Sequence, residues 1–277
     1  MTALGPVCIA TAVQDVPEWD AEVIDENNYR RGPKDAAGRP DHEAMQRARH
    51  ADVVGLYGGL TSTIPRLYEI AMRYKAMGVR TIAGGHHFVD ENIEEALRNG
   101  IDVVVIGEGD RTIRELLTCF ASKADLSMVR GIAFLQDGKL RRAPDREPIA
   151  AFDELPIPSF SVLRHGRLRY YPVSGVRGCG MDCEFCAVKG RPRFSSPQRM
   201  MDQFASIYEK HGGKTFFIVD DLFGQNRRDT LHLCRMLRDY QQQAGARFSI
   251  TVQIRLDRAR DHELLQAMRQ ARINNLA

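Results

Sequence analysis

From Tyr170 to Gly190 the chain reads YYPVSGVRGCGMDCEFCAVKG. An apolar, β-branched opening runs directly into three of the protein's six cysteines, Cys179, Cys183 and Cys186, packed into eight residues. The opening reads as a strand, and cysteines at i, i+4 and i+7 put three soft thiolates on one tight loop, close enough to share a metal centre. Three ligands leave one coordination position for something else. A structural zinc site closes its tetrahedron with a fourth Cys or His, and the nearest histidines, His165 and His211, lie 14 residues before Cys179 and 25 after Cys186. A single reactive cysteine would account for one position only. An iron–sulfur cluster with one iron left open accounts for all three.

The chain beyond the loop has a regular rhythm. RMMDQFASIYEKHG (199–212) reads as a helix with Phe204, Ile207 and Tyr208 facing inward, and KTFFIVDDLFGQN (214–226) as a buried strand ending in the carboxylates Asp220 and Asp221. A helix at 229–243, the strand RFSITVQIRLD (247–257) and a helix at 261–271 complete three successive β–α units, the pattern of part of a barrel. Arg255 falls near the end of the third strand.

Ahead of the loop lies a stretch with Pro144, Pro148, Pro156 and Pro158 and little periodicity, which reads as a connector. It divides the chain into a first domain over 1–142, a Pro-rich linker over 143–169 and a second domain over 170–277. In the first domain AEVIDE, ADVVGLYGG, VRTIAGG and IDVVVIGEG are brief and rich in Val and Ile, and the helical patterns IPRLYEIAMRYKAMG and VDENIEEALRNG separate the later ones. That alternation predicts a Rossmann-like parallel sheet covered by helices. Ligands in such sheets sit beyond the carboxyl ends of the strands. Gly58, Gly59, Gly84, Gly85, Gly107 and Gly109 cluster there, where glycine serves either a close ligand approach or a tight turn.

Composition sets the context. At 277 residues and 43% hydrophobic, the chain is long enough for a substantial core. The net charge of +3, from 39 basic and 36 acidic residues, carries no indication of nucleic acid. No apolar run approaches the ~18 residues that span a bilayer, and no leader peptide is recognisable. A cytoplasmic protein is expected, and clustered cysteines in that reducing compartment read as ligands rather than disulfides. Cys8, Cys119 and Cys234 stand alone and read as small buried hydrophobes.

With these residues in view, the second domain resembles the radical S-adenosylmethionine enzymes, whose signature is three cysteines with three and then two residues between and an aromatic before the last. Here the signature is Cys179-Gly-Met-Asp-Cys183-Glu-Phe185-Cys186. The resemblance implies a partial β/α, TIM-like barrel and a 4Fe-4S cluster on the three cysteines. S-adenosylmethionine would be chelated to the open iron and cleaved by one electron to methionine and a deoxyadenosyl radical. It implies Phe185 beside the adenine. Asp220 and Asp221 stand where the family often places Gly-Gly-Glu to hold the methionine amino group, and Arg255 faces the same end as a carboxylate partner. A one-electron donor such as flavodoxin or ferredoxin is implied as well.

The first domain resembles the cobalamin-binding domain that precedes the barrel in a large subgroup, through TIAGGHH, VVVIGEGDRTIRELL and FDELPIPSF. The resemblance implies a cobalamin site at Tyr57, Gly59, Thr61, Gly84, Gly85, Gly107, Glu108 and Gly109. Gly84-Gly85 matches the family's glycine pair. The preceding Ser-x-Leu is replaced by Tyr57-Gly58-Gly59-Leu60-Thr61, and the Asp-x-His-x-x-Gly that supplies a histidine to cobalt is absent. The implied activity is methylation or rearrangement of an unactivated carbon in a small or lipid-like substrate. A cluster- or cobalamin-binding sensor or scaffold without turnover, and a methylthiotransferase-like enzyme, stand as alternatives; the latter family's second cysteine set is missing. At ~30 residues per unit, six or more barrel units need on the order of 180 residues, whereas Tyr170 to Ala277 supplies 108. The chain is therefore expected to be truncated at both ends and, as it stands, not to complete a catalytic cycle.

Overall fold

The computed structural model describes every residue except Phe185, Ala187 and Lys189. The chain divides into two compact units, one of residues 5–149 with 162–166, the other of residues 1–4, 150–161 and 167–277. The proline-rich stretch is thus apportioned between them.

The first unit opens with helix α1 (Leu4–Val13), a two-residue strand β1 (Val23–Ile24) and helix α2 (His42–Ala48). Then come β2 (Val53–Tyr57), α3 (Ile64–Ala76), β3 (Arg80–Gly84), α4 (Glu91–Arg98), β4 (Val103–Val105) and α5 (Gly109–Ser122). The hairpin β5 (Ile132–Gln136) and β6 (Lys139–Arg142) comes next. The sheet runs β2-β3-β4-β5-β6, with β2, β3 and β4 parallel and β5 and β6 antiparallel.

Alternate residues of β4 serve opposite faces, as the two-residue repeat of a strand requires. Val103 and Val105 pack with Ile113, Leu116 and Leu117 of α5 and with Ala12 and Val13 of α1. Val104 packs with Leu67 and Ala71 of α3 and Ala96 and Leu97 of α4. Both faces are covered, which is why β4 carries an unbroken Val-Val-Val rather than an alternating pattern.

The expected parallel sheet is present in β2, β3 and β4, and the antiparallel hairpin β5–β6 extends it; Asp137 and Gly138 both take positive φ (52° and 72°) and turn β5 back as β6, the backbone that Asp-Gly favours between hairpin strands. One expectation is corrected. AEVIDE contributes no strand to that sheet. Only Val23 and Ile24 are extended, and they pair in parallel with Leu163 and Arg164, strand β7 (Leu163–Arg164), far along the chain.

The second unit is built from β8 (Tyr171–Val173), the small strands β9 (Val176–Arg177) and β10 (Arg193–Phe194), then α6 (Pro197–His211), β11 (Thr215–Ile218), α7 (Arg227–Gln243), β12 (Ser249–Val252), α8 (His262–Gln270) and β13 (Ile273–Leu276). Its sheet runs β13-β12-β11-β8 and is parallel throughout. Each β–α unit lays its strand beside the previous one, the order of a β/α barrel arc, and the described residues do not close the barrel. Phe204 of α6 meets Phe216 of β11 at 4.7 Å between ring centroids, and Phe216 meets Phe248 at 4.9 Å. These rings, with Ile218, Ile250 and Leu237, are fully buried or nearly so and fix helices to sheet. Helix α6 starts where Ser196 accepts from the Arg199 N–H at 3.1 Å and ends at Gly212, left-handed at φ 63°. Among the described residues no helix is long and apolar enough to cross a membrane.

Candidate functional site

The three cysteines sit on one loop that leaves the carboxyl end of β8 and is closed by β9 and β10, paired antiparallel through Arg177↔Arg193 and Val176↔Phe194. Both paired arginines lie over one ring, Arg177 at 5.0 Å and Arg193 at 5.4 Å from Phe152, a cation–π contact that seats the hairpin on the FDELPIPSF segment. Gly178 is obligatory there. Its φ is +82°, and a Cβ would stand 2.9 Å from the Arg191 carbonyl oxygen. Within the loop the Cys186 N–H donates to the Cys183 carbonyl at 3.1 Å, and the Val188 N–H approaches Cys186 Sγ at 3.4 Å. Cys179 is buried, and Cys183 and Cys186 are half-buried. Among the described residues no three His, Cys, Asp or Glu side chains are drawn together as a metal site. Phe185 lies outside the described residues.

Of the remaining cysteines Cys8 is half-buried, not buried as expected, while Cys119 and Cys234 are buried. Burial pushes the Cys234 thiol up to about 12 and raises Cys119, which also donates to the Ala124 carbonyl at 3.3 Å. A thiol so placed does not ionise near neutral pH.

The two adjacent aspartates after β11 part company. Asp221 is exposed, whereas Asp220 is 5% exposed. The Asp220 carboxylate accepts from Ser174 Oγ at 2.7 Å and from the N–H groups of Gly175 and Val176 at 2.9 and 3.1 Å. Burial raises its pKa to about 6, against the pull of those three donors and with a smaller upward push from Asp221. Arg255 follows β12, pairs with Asp257 at 3.2 Å and reaches Met181 of the cysteine loop, Nη1 to Sδ, at 3.2 Å. A cleft at these strand ends is lined by Gly175, Asp220, Phe223, Gln225 and Asn226. Two buried polar atoms near it, Ser195 Oγ and Gln225 Oε1, have no hydrogen-bond partner among the described residues.

In the first unit the eight residues implied for cobalamin all gather at the carboxyl ends of β2, β3 and β4. Tyr57 ends β2, Thr61 begins the 3-10 turn before α3, Gly84 ends β3 and Glu108 is the N-cap of α5. Gly85 is where the loops after β2 and β3 touch. With φ at +125°, its Cβ would stand 2.6 Å from the Gly58 carbonyl oxygen. Gly58 in turn donates to the Gly84 carbonyl at 2.9 Å and accepts from the His87 N–H at 3.0 Å. Gly107, also at positive φ, has no atom within 4 Å of where a Cβ would be, so the space above β4 is open. Glu108 is spoken for by the Ile149 N–H at 2.6 Å. Sequence reasoning did not single out Ser174, Gln203 or Gln225, whose roles depend on neighbours 29 to 46 residues away.

The comparisons bear out the resemblance to radical S-adenosylmethionine enzymes with an N-terminal cobalamin-binding-like domain. Residues 1–117 match the model of the B12 binding domain. The "uncharacterized methyltransferase PH0819" of Pyrococcus horikoshii is 28% identical over 246 residues, which cover 83% of this chain and 51% of that protein. The radical S-adenosylmethionine methyltransferase TsrM of Kitasatospora setae, solved with cobalamin and a [4Fe-4S] cluster bound, superposes with a TM-score of 0.76. It covers all of this chain and 57% of its own, at 17% identity. The cobalamin-dependent S-adenosylmethionine radical enzyme OxsB superposes with a TM-score of 0.63 over 84% of this chain and 36% of its own. The chain spans about half the length of the first curated relatives it matches.

Proposed function

We propose that the protein is, or is part of, a cobalamin-dependent radical S-adenosylmethionine enzyme that methylates or rearranges an unactivated carbon. The observation that carries this reading is the placement of Cys179, Cys183 and Cys186 on the loop leaving the first strand of a parallel β/α arc. Their donor chemistry suits an iron–sulfur cluster: three soft thiols on one short loop, at a spacing that leaves one position open. Iron uptake would draw the three thiols together, since metal binding and folding are coupled. When bound, the cluster would supply the electron that breaks a C–S bond of S-adenosylmethionine, and cobalamin would carry the methyl group.

The chain's own residues do the holding. Asp221 and Arg255 offer an anion and a cation at the strand ends beside the cysteine loop, suited to the amino and carboxylate groups of S-adenosylmethionine. In the first unit Tyr57, Gly59, Thr61, Gly84, Gly85, Gly107, Glu108 and Gly109 gather at the strand ends where ligands of such sheets sit, with open space at Gly107, and the family match to residues 1–117 supports cobalamin as the ligand there. A flavodoxin or ferredoxin would serve as electron donor, and the substrate is a small or lipid-like molecule.

The test is anaerobic reconstitution with iron, sulfide and cobalamin, followed by assay of bound iron, the absorption spectrum of bound cobalamin, deoxyadenosine and methylated product. Cluster and cobalamin bound without any cleavage of S-adenosylmethionine would turn the reading to a scaffold or sensor. Failure to bind iron at all would overturn it.

A further inference from the structure

Strand β8 is three residues long, and the backbone that leaves it cannot continue the ladder into the cysteine loop. The N–H groups of Ser174, Gly175 and Val176 must nevertheless be paired, because buried backbone donors left unmade are costly. Side chains do this. The Ser174 N–H donates to Gln203 Oε1 at 3.3 Å, while Gln203 Nε2 returns a bond to the Ser174 carbonyl at 2.9 Å. The Gly175 and Val176 N–H groups and the Ser174 hydroxyl all converge on Asp220. Gln253 then fastens the Asp220 carbonyl at 3.3 Å. Farther along, Gln225 Nε2 donates to the Cys179 carbonyl at 2.7 Å, tying the first cysteine to the loop after β11. Backbone bonds assist at both places, from the Ser195 N–H to the Gly175 carbonyl at 2.8 Å and from the Gly180 N–H to the Gly190 carbonyl at 3.0 Å, but they leave these donors and the Cys179 carbonyl to side chains.

An aspartate with no cation among these partners, buried to 5% exposure, is an expensive way to hold a turn. A single carboxylate can collect three donors at one point, which no neutral side chain of that size does. The result is a fixed exit angle from β8 into the hairpin β9–β10 and hence into the loop.

We propose that Asp220 and Gln225 are positioning residues for the cysteine loop. Asp220 sets the direction in which the chain leaves β8, and Gln225 pins Cys179, so that the first sulfur is held in place before the other two close on a cluster. This rests on reading the three cysteines as cluster ligands. It gives Asp220 a task different from the one its position in the sequence suggests, contact with the amino group of S-adenosylmethionine, and leaves that contact to Asp221.

The experiment uses the full chain and the variants Asp220→Asn and Gln225→Ala. Asparagine keeps the size of the side chain but turns an amide toward donors. Two measurements are made. In the protein without iron, hydrogen exchange at the amides of Gly175 and Val176 should be slow and should quicken on the order of tenfold or more in Asp220→Asn, as loss of a charge-assisted hydrogen bond predicts. After anaerobic reconstitution, both variants should lose iron to a chelator on the order of tenfold faster than the parent and show a broadened electron paramagnetic resonance signal from the reduced cluster. Unchanged far-ultraviolet circular dichroism would show that the fold survives; should Asp220→Asn not fold, Gln225→Ala carries the test. Unaltered exchange and cluster lability, with only S-adenosylmethionine binding weakened, would overturn the proposal and make Asp220 a cofactor ligand. If the parent takes up no iron but Asp220→Asn still frees the two amides, the clip stands and the cluster reading fails.

Discussion

Asp220 offers the most quantitative test of the structure. Its carboxyl is held up at about 6 from an ordinary 3.8, chiefly by burial and against three hydrogen bonds. Between those two pH values the folded protein binds a proton that the unfolded chain has released. Stability from this group is therefore complete below 3.8, falls as pH rises through about 6 and is level above it. At 1.36 kcal/mol per pH unit, the interval amounts to about 3 kcal/mol. The comparison is between the parent and Asp220→Asn, which lacks the titration but keeps the other carboxyl groups. Urea unfolding of both proteins at intervals from about pH 4 to pH 8 should give a stability difference, parent minus variant, that drops by about 3 kcal/mol across the window. Carbon-13 titration of the aspartate carboxyls should show one resonance, absent from the variant, with its midpoint near 6. A midpoint at or below 3.8 would refute the reasoning, for it would mean that the three donors outweigh burial and that the carboxylate is a stabilising anion.

Three further outcomes are expected. Alanine at Cys179, Cys183 or Cys186 should abolish the thiolate-to-iron absorption of the reconstituted protein, while alanine at Cys8, Cys119 and Cys234 together should retain it; a full cluster in Cys183→Ala would break the assignment. Gly85→Ala should cost a few kcal/mol and lower the melting temperature, because its Cβ would press on the Gly58 carbonyl at 2.6 Å; Gly84→Ala, whose Cβ would meet Val105 at an ordinary 3.6 Å, should cost less than about 1 kcal/mol, and equal melting of the two would contradict the packing. Burial raises the Glu26 carboxyl, but His42 and Arg66 outweigh it and hold it at about 2 from 4.5, so its contribution is complete above 4.5 and lost as pH falls toward 2. Glu26→Gln should accordingly be less stable at neutral pH and show a shallower acid unfolding curve, and identical acid curves would rule that contribution out.

The sequence alone determined those features whose signal is local. Three cysteines in eight residues, the apolar runs of β3, β4, β11 and β12, and the helical periodicity between them are legible because period and spacing follow directly from backbone geometry. The hairpin β5–β6 was not read from the sequence; its turn at Asp137-Gly138 emerged only with the structure. AEVIDE shows the limit from the other side. Its composition is that of a strand, yet only two of its residues pair, and their partners lie near residue 163 rather than in the sheet. Nothing local encodes a partner at that distance.

The site shows the same division. Asp220 and Asp221 are the same residue type at adjacent positions, and the sequence treats them alike. Tertiary structure separates them by what each meets where the chain bends after β11. One turns inward to the amides of Gly175 and Val176, and the other faces solvent. Which of two identical carboxylates holds the fold, and which is free to meet a ligand, depends on what lies across from each, and that is settled only when β8 and β11 are side by side.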